Sequence, residues 1–322
     1  MEAKLPRIVV IGSVYIDMTL RCPQIPAVQQ SISSTALTYN VTGAGANSAT
    51  QAALCGCEVQ LISKVGGGAL AKMVKQSLAE FGVKTDYLCS TEAKNTGVIV
   101  TIVNSLGENA TLNYAGANCA LSTQDIESAE EIIAAADVCL IHGSMPIDAI
   151  LCAINIAKLH RTKIVINPAR PIKTASDLND NTEELPLEYL VGNIVISNLY
   201  EAAEIVDHSA VNNKIAKLIG SEIITRGAEA AVITMGKKGC MVVDRETTEH
   251  VDAFDVNLVD NTGTGDAFAG AFAACCAVDD NLIQSVKFAS AAGALACTKF
   301  GTIEAMSKKV DIIQLLQKED IE

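Results

Sequence analysis

Residues 259–270 read VDNTGTGDAFAG, and this stretch decides the fold because a glycine-rich turn runs directly into an alanine-rich segment. Gly263 and Gly265 permit a tight backbone path, and the small residues that follow predict a helix over 267–276. The start of a helix directs several free N–H groups and the positive end of the helix dipole toward one point. The stretch therefore predicts an anion-binding site formed by the backbone of Gly263, Thr264 and Gly265.

Asp266 lies in the first turn of this predicted helix, beside the anion site. A carboxylate at that position can accept the proton of an attacking hydroxyl group while the N–H groups stabilise a phosphoryl group in transfer. The structural alternative is that the two glycines only form a turn and that Asp266 only caps the helix. The length of the motif and its position at the start of a helix favour the catalytic interpretation.

Outward from this stretch, strand and helix patterns alternate along most of the chain. Short β-branched runs predict strands over 7–11, 59–63, 138–142, 163–167, 194–197, 231–234 and 240–244. Helical patterns occupy 46–54, 70–81, 123–135, 147–159, 212–221, 267–276 and 282–298. The alternation predicts an α/β fold with a mostly parallel central sheet and right-handed crossovers. The polar, acidic stretch 174–185 predicts a mobile loop.

Two other segments, about 14–42 and 95–116, carry shorter strands in which polar and apolar residues alternate. Strands of this kind suit a sheet with one solvated face. Residues 104–109 contain Gly107 and predict a hairpin turn between two of these strands. We predict that the two segments form a small β-sheet lid, inserted in a single domain that spans 1–322.

The composition limits the classes of function. The chain has 322 residues, of which 49% are hydrophobic and 19% are charged, as in a folded globular protein. The net charge of −13 argues against binding to nucleic acid or to an anionic membrane surface, although a small backbone site can still bind ATP. The longest apolar run, 267–278, is too short to span a bilayer, and the first residues lack a signal-peptide pattern. We therefore expect a cytoplasmic enzyme.

The eleven cysteines and four histidines predict no structural cross-link. The cysteines are odd in number and scattered, and several lie in apolar runs, where cysteine behaves as a small hydrophobic residue. The histidines are dispersed, and no second pair of cysteines follows Cys55 and Cys57 at the spacing of zinc ligands. The sequence thus predicts neither a disulfide framework nor a structural zinc site.

The stretch 259–270 is similar to the D-T-x-G-A-G-D-x-F-x-G element of the ribokinases, which are members of the PfkB family of sugar kinases. Further motifs extend the resemblance over nearly the whole chain. It implies a three-layer α/β/α ribokinase-like fold with a small β-sheet lid. It also implies an ATP-dependent enzyme that phosphorylates the primary hydroxyl of a sugar such as ribose, with Asp266 as the catalytic base and residues 263–265 as the anion hole.

Two motifs resemble the sugar-binding elements of that family. Residues 42–47, TGAGAN, are similar to the G-G-x-G-x-N element, in which glycines let a sugar approach the backbone and the Asn binds its hydroxyl groups. The resemblance thus assigns Gly43 and Asn47 to substrate binding. Asp17 matches the acid that accepts hydrogen bonds from the sugar. In isolation, the glycine-rich motif is equally consistent with a plain turn and helix cap, and Asp17 fits an ordinary surface charge better than a sugar ligand.

Residues 198–201, NLYE, match the N-x-x-E element of the family. The match implies that Asn198 contributes to the nucleotide site and that Glu201 holds Mg²⁺ through water, as suits a hard cation that keeps most of its waters. A helix cap is the structural alternative. The position after a predicted strand of an α/β fold is one where ligands bind.

Residues 234–239, TMGKKG, resemble the T-x-G-x-x-G loop around the nucleotide, although a plain β-turn is an alternative that can hold at the same time. The implied nucleotide-binding residues are Thr234, Gly236 and Gly239. Ribokinases also have a potassium site beside the anion hole. Asp260 and Thr262 are retained there, so the resemblance implies activation by K⁺.

Three positions depart from the family pattern, all of them on the sugar side. Tyr15, Ala44 and Ser144 stand where ribokinases carry Asn, Lys and Glu. The exchanges remove polar groups that would hold sugar hydroxyls, and the ring of Tyr15 could stack on a sugar or a nucleobase. The acceptor is therefore open between ribose, another furanose and a nucleoside.

Three other interpretations compete with a sugar kinase. A nucleoside kinase of the same family is one, and a non-catalytic sugar- or nucleotide-binding regulator is another, although Asp266 and Glu201 argue against a protein without chemistry. A dinucleotide-dependent dehydrogenase is excluded because no G-x-G-x-x-G follows the first strand. The edges of the predicted lid could pair between two subunits, so a homodimer through the lid is a further expectation.

Overall fold

The computed structural model describes residues 4–168, 185–208 and 215–319. The strands are β1 (Arg7–Ile11), β2 (Tyr15–Arg21), β3 (Ala36–Thr42), β4 (Glu58–Gly66), β5 (Val83–Lys84), β6 (Leu88–Thr91), β7 (Gly97–Val103), β8 (Asn109–Tyr114), β9 (Val138–His142), β10 (Lys163–Asn167), β11 (Ile194–Asn198), β12 (Ala230–Thr234), β13 (Cys240–Asp244) and β14 (Thr248–Val251). The α-helices are α1 (Ala44–Leu54), α2 (Ala69–Glu80), α3 (Thr123–Glu127), α4 (Glu130–Ala135), α5 (Ile147–His160), α6 (Leu199–Ile205), α7 (Ala216–Thr225), α8 (Thr264–Cys276), α9 (Leu282–Ala296) and α10 (Lys309–Glu319).

The main sheet has the strand order β14-β13-β12-β11-β10-β9-β1-β4-β5, with β6 also paired to β4. The strands from β12 to β5 run parallel, whereas β13 and β14 are antiparallel to their neighbours. In β1, Ile8 and Val10 pack with α1, α8 and α9, whereas Val9 and Ile11 pack with α5 and α7 on the opposite face. Helices thus cover both faces of a mostly parallel sheet. The predicted three-layer α/β/α fold is confirmed.

The second sheet is separate and has the strand order β3-β2-β7-β8. Strand β2 is antiparallel to β3 and parallel to β7, and β7 and β8 form the predicted hairpin with Gly107 at a positive φ of 82°. Side chains alternate between the two faces of each strand. Tyr15 and Asp17 therefore lie on one face of this sheet, and Ile16 and Met18 lie on the other. The predicted small second sheet is confirmed.

The segments between the strands depart from the sequence-based prediction at several points. The helix predicted over 123–135 is two helices, α3 and α4, because the chain breaks where Ser128 Oγ donates a hydrogen bond to the Asp125 carbonyl at 2.7 Å. The loop predicted over 174–185 lies outside the described residues except for Leu185, and so does the 212–214 part of the helix predicted over 212–221. Within the described residues, no helix combines the length and the apolar composition needed to cross a bilayer.

Candidate active site

The candidate site lies at the first turn of α8. The N-cap residue of α8, Gly263, has a left-handed backbone conformation with φ of 74°, which glycine adopts without strain. Gly263 has no side chain that could cap the helix. A Cβ atom added to the exposed Gly265 would meet nothing within 4 Å, so the first turn faces open space at this residue. The arrangement leaves room for an anion beside the amide groups of the turn.

Thr264 takes part in this turn through its backbone. Within the described part of the chain, its Oγ1 is a buried atom without a hydrogen-bond partner, so the hydroxyl group lies in the protein and not at the surface of the site. Gly293 of α9 packs against it, because an added Cβ on Gly293 would lie 3.4 Å from Thr264 Cγ2. The side chain therefore leaves the amide edge of the turn open.

Asp266 is held by a residue from the other end of the chain. Asn47 Nδ2 donates a hydrogen bond of 2.7 Å to Asp266 Oδ2. Burial is the main cause that raises the pKa of Asp266 to about 6; the hydrogen bond from Asn47 opposes the rise, and the negative charge of Glu201 adds to it. A carboxyl group with that pKa is mostly ionised at neutral pH and is a better proton acceptor than an ordinary aspartate.

Asn47 reaches Asp266 because three glycines let α1 pack directly on the end of β1. Added Cβ atoms on Gly12 and Gly45 would clash with each other's backbone, at 2.7 and 2.5 Å. Gly43, the N-cap of α1, has φ of 112°, and its added Cβ would lie 2.5 Å from the Ser13 carbonyl oxygen. Within the described residues, Asn47 Oδ1 is a buried acceptor without a partner. Asn47 therefore lies directly beside the predicted base, and Gly43 lies one helical turn before Asn47.

Asp17 lies on the second sheet, next to Tyr15 on the same face. Its two carboxylate oxygens accept hydrogen bonds from Thr19 Oγ1 at 2.9 Å and from Thr101 Oγ1 at 3.3 Å. Tyr15 is buried, with 7% of its surface exposed, and an added Cβ on Gly97 would lie 2.8 Å from its ring. Burial raises the pKa of Tyr15 to about 12, and a hydrogen bond with Asn113 opposes the rise. The ring of Tyr15 is therefore packed in the protein and not presented to a ligand.

Asn198 and Glu201 form a capping box at the start of α6. Asn198 Oδ1 accepts hydrogen bonds from the backbone N–H groups of Tyr200 and Glu201, both at 3.0 Å, and Glu201 Oε2 accepts one from the Asn198 N–H at 3.2 Å. The structural alternative of a helix cap is thus present. Burial also raises the pKa of Glu201, and its charge acts on Asp266, so the two carboxyl groups are close enough to interact. The cap holds the Glu201 carboxyl group at the end of β11, within electrostatic reach of Asp266.

Thr234, Gly236 and Gly239 form the turn between β12 and β13. Gly236 and Gly239 have positive φ values of 58° and 76°, and the Met235 N–H donates to the Gly239 carbonyl at 2.8 Å. Gly236 is exposed, with nothing within 4 Å of an added Cβ, whereas Gly239 packs against the Val251 carbonyl. This turn follows β12, the strand next to β11, so it lies at the same edge of the sheet as the cap of α6.

Asp260 and Thr262 form a small turn that is joined to the end of α9. Asp260 Oδ1 accepts hydrogen bonds from the Thr262 N–H at 2.9 Å and from Thr262 Oγ1 at 2.7 Å. The N–H groups of Val259 and Asp260 donate to the Cys297 carbonyl at 2.9 and 3.2 Å. A carboxylate, a hydroxyl and a carbonyl oxygen are therefore collected beside the start of α8.

Two residues at the site were not among the predicted ones. Ser48 Oγ donates a hydrogen bond of 3.0 Å to the Asp266 carbonyl oxygen, and His142 Nε2 lies 3.0 Å from Ser48 Oγ. Both residues are fully or almost fully buried. The only sequence signal for His142 is that it ends an apolar predicted strand, the position from which parallel sheets place functional side chains.

Comparison with known proteins identifies the family of this chain. Residues 5–309 match the model of the pfkB family carbohydrate kinases. The chain belongs to this family. The predicted membership and the predicted activity class, a carbohydrate kinase, are thereby confirmed.

Two relatives that resemble the chain are named for kinase activity on pentoses. A ribokinase of Staphylococcus aureus (strain COL) is 28% identical over 299 residues, which cover 92% of this chain and 94% of the relative. A deoxyribokinase of Salmonella typhi is 27% identical over 295 residues, with coverages of 92% and 94%. The solved structure of an Arabidopsis thaliana ribokinase complexed with ribose and ATP has a TM-score of 0.88 at 22% identity and covers 98% of this chain and 99% of that chain. At that identity, the likeness supports the fold alone.

Proposed function

We propose that this pfkB-family kinase transfers the γ-phosphoryl group of ATP to the primary hydroxyl of ribose or a ribose-like sugar, with Asp266 as the base. The observation that carries the proposal is the position of Asp266. Its carboxylate lies in the first turn of α8, held by Asn47, beside the amide edge that Gly265 leaves open. A base and an anion site adjoin each other there, as phosphoryl transfer requires.

In the proposed step, the acceptor oxygen forms a bond to the γ-phosphorus while the bond between that phosphorus and the β–γ bridging oxygen breaks. The hydroxyl proton moves to the Asp266 carboxylate, and ADP leaves with the bridging oxygen. The backbone N–H groups of residues 263–265 stabilise the charge on the transferring group. The raised pKa of Asp266 makes the carboxylate a stronger proton acceptor at the moment of transfer.

Mg²⁺ is the expected companion of ATP, since it bridges phosphate oxygens and neutralises their charge in phosphoryl transfer. Mg²⁺ keeps several of its waters and needs only one or two protein carboxylates. The Glu201 carboxylate fits this role because one of its oxygens caps α6 and so orients the group near Asp266. Asn198 contributes by fixing the start of the helix that carries Glu201.

The turn after β12 is proposed to contact the nucleotide. A K⁺ site is proposed beside the anion site. The exposed Gly236 lets a ligand approach the backbone, and Gly239 shapes the turn. Asp260 and Thr262 supply the oxygens that a potassium ion needs next to the start of α8. A cation there would add positive charge near the phosphoryl group.

A pentose is favoured over a nucleoside as the acceptor by the position of Tyr15. A nucleobase would need an exposed aromatic face for stacking, but the Tyr15 ring is buried and packs on Gly97. We propose that Asp17, Gly43 and Asn47 bind the sugar and that the second sheet acts as the lid over it. The polar face of that sheet, which carries Asp17, is the face suited to hydroxyl groups.

A homodimer is proposed through the opposite face of the second sheet. That face carries aliphatic, methionine and tyrosine side chains, from Ile16, Val41 and Val98 at one end to Leu20, Leu37 and Ile102 near the other. Its outer side chains are exposed, and they are Leu37, Tyr39, Leu112 and Tyr114. Because the face has no charged residue, it can pair with its own copy across a twofold axis.

The test of the proposed function is ADP formation in the presence of a panel of acceptors. Ribose, 2-deoxyribose, fructose, adenosine and cytidine are each supplied with ATP and Mg²⁺, with wild-type protein and with Asp266→Asn as the control. We expect pentose-dependent ADP formation in the wild type that the variant loses. Turnover with the nucleosides alone would contradict the proposal that a pentose is the acceptor. The absence of turnover with every member of the panel would exclude pentoses and nucleosides alike.

A further inference from the structure

A buried hydrogen-bond chain joins the end of β9 to the first turn of α8. His142 Nε2 lies 3.0 Å from Ser48 Oγ, and Ser48 Oγ lies 3.0 Å from the Asp266 carbonyl oxygen. His142 ends β9, Ser48 lies on α1 directly after Asn47, and Asp266 lies on α8. Three elements that are far apart in sequence thus meet at the residue proposed as the base.

The direction of these hydrogen bonds follows from the chemistry of the groups. A carbonyl oxygen only accepts, so Ser48 donates its single hydroxyl proton to Asp266. Ser48 Oγ can then only accept from His142, which requires the proton to be on Nε2 of the imidazole. Burial lowers the pKa of His142 to about 4, so the ring is neutral at the pH at which the enzyme works.

The backbone around this hydrogen-bond chain is closely packed. An added Cβ on Gly270, one helical turn after Asp266, would collide with the Ser48 carbonyl. An added Cβ on Gly12 would lie 3.0 Å from the Cδ2 atom of His142. The helices α1 and α8 are thus in backbone contact at Gly270, one turn after the carbonyl that accepts the hydrogen bond from the Ser48 hydroxyl.

We propose that Ser48 and His142 are positioning residues that hold the first turn of α8, and with it the Asp266 carboxylate and the Gly265 amide, in the orientation needed for phosphoryl transfer. The proposal rests on the proposed function of Asp266 as the base. Asn47 holds the carboxylate from the side-chain end, and Ser48 holds the same residue from its backbone end. Two consecutive residues of α1 therefore fix one catalytic group.

Gln51 provides a matched control on the same helix. It lies one turn after Asn47 and Ser48 and is fully buried, and it exchanges two hydrogen bonds with the backbone of Ser307, at 2.8 and 3.0 Å. It ties α1 to a neighbouring segment in the way that Ser48 does, but it does not contact Asp266 through a hydrogen bond in the described structure. Gln51→Leu should therefore lower the melting temperature without a specific effect on chemistry.

The experiment compares Ser48→Ala, His142→Leu and Gln51→Leu by melting temperature, by kcat and KM, and by the pH profile of kcat. We expect Ser48→Ala and His142→Leu to lower kcat by about tenfold or more, because a small misplacement of a reacting group is costly, with KM changed less than twofold. Their acidic limb should shift to lower pH, since a loosened turn exposes the Asp266 carboxyl to water and lowers its pKa. Ser48→Thr and His142→Gln, which keep the donors, should recover most of the rate.

Two outcomes overturn the proposal. One is an unchanged kcat and pH profile in Ser48→Ala and His142→Leu, and the other is an equal loss of kcat in Gln51→Leu at a similar loss of melting temperature. If Ser48→Ala fails to fold, the comparison is decided by His142→Leu against His142→Gln. Failure of the proposed function is recognised separately, because Asp266→Asn would then keep its activity whatever the Ser48 and His142 variants do.

Discussion

Asn47 Nδ2 donates a 2.7 Å hydrogen bond to Asp266 Oδ2 across 219 positions of sequence. The bond joins the residue proposed to bind the sugar to the residue proposed to activate it. It also favours the ionised form of Asp266 against the effects of burial and of Glu201, which raise its pKa to about 6. The pKa of Asp266 is therefore set by opposing effects, and Asn47 is the side chain that lowers it.

The pH profile should report this balance. In the wild type, kcat should fall below about pH 6, because Asp266 accepts the proton only when it is ionised. Asn47→Leu removes the hydrogen bond that lowers the pKa of Asp266, so its acidic limb should shift to higher pH. The profile of Gln51→Leu on the same helix should match the wild type. An acidic limb that stays in place in Asn47→Leu would contradict the role given to this bond.

Asp266→Asn should lose activity and gain stability. Removal of a general base lowers kcat by roughly 10²–10⁴-fold, while ATP should still bind. Because burial raises the pKa of Asp266 in the folded chain above its unfolded value, the stability linked to this group is present at low pH and is lost as the pH rises through about 6. The neutral Asn does not undergo this loss. The melting temperature of the variant should therefore exceed that of the wild type at pH 8, with a smaller difference toward pH 4.

A variant with near-normal kcat would contradict the assignment of the base. A lower melting temperature at pH 8 would contradict the effect of burial on Asp266. The two measurements are independent, because the first depends on the reaction and the second only on the folded chain.

Much of this fold could be predicted from local patterns. The β-branched runs of β1, β9 and β10 begin and end where expected, because a strand buried on both faces requires apolar residues at nearly every position. In contrast, β14 reads TEHV, with a single apolar residue, and α10 reads KVDIIQLLQKE, in which charged and amide side chains interrupt the apolar ones. β14 is recognisable only through its pairing with β13.

The residues of the candidate site likewise divide into those that the sequence predicts and those that only the folded structure reveals. The turn at Gly263 and the proposed base, Asp266, lie in one contiguous motif, so their placement together was predictable from the sequence. Ser48 and His142 are joined by a contact across 94 positions, and neither belongs to a motif. The burial of Tyr15 likewise depends on Gly97, which lies on a strand that is distant in sequence and leaves space for the ring. Contacts of this kind are properties of the packed fold.

Gly265→Val should lower activity without a matching loss of stability. The added side chain meets nothing within 4 Å in the protein at its Cβ, and Gly265 does not have a positive φ, so the variant should fold. The new methyl groups would fill the space beside the amide edge and keep a phosphoryl group from reaching it. We expect kcat/KM for ATP to fall by roughly 10²–10³-fold, which is the cost of one lost anion-hole donor, with a smaller effect in Gly265→Ala. Full activity in the Val variant would mean that the phosphoryl group binds elsewhere.

Leu112→Lys should convert a dimer to a monomer. Leu112 is 72% exposed on the apolar face of the second sheet, where a lysine would bring a charge into the interface between two copies. Thr111→Lys is the matched control, because Thr111 precedes it on β8 and lies on the opposite face. Light scattering after size-exclusion chromatography should give a dimer for the wild type and for Thr111→Lys. A monomeric wild type, or a dimer that survives Leu112→Lys, would contradict an interface on this face.

Potassium should activate the enzyme through Asp260. The Asp260 carboxylate and the Thr262 hydroxyl lie at the loop before α8, so a bound K⁺ would add positive charge beside the phosphoryl group. Replacing KCl by tetramethylammonium chloride at constant ionic strength should lower kcat, because screening is unchanged while the large organic cation does not fit among the oxygens. Asp260→Ala should have a low rate in both salts, and a matched Asp255→Ala, on the same loop, should keep the response. An equal rate of the wild type in the two salts would show that these oxygens hold the loop together through hydrogen bonds alone.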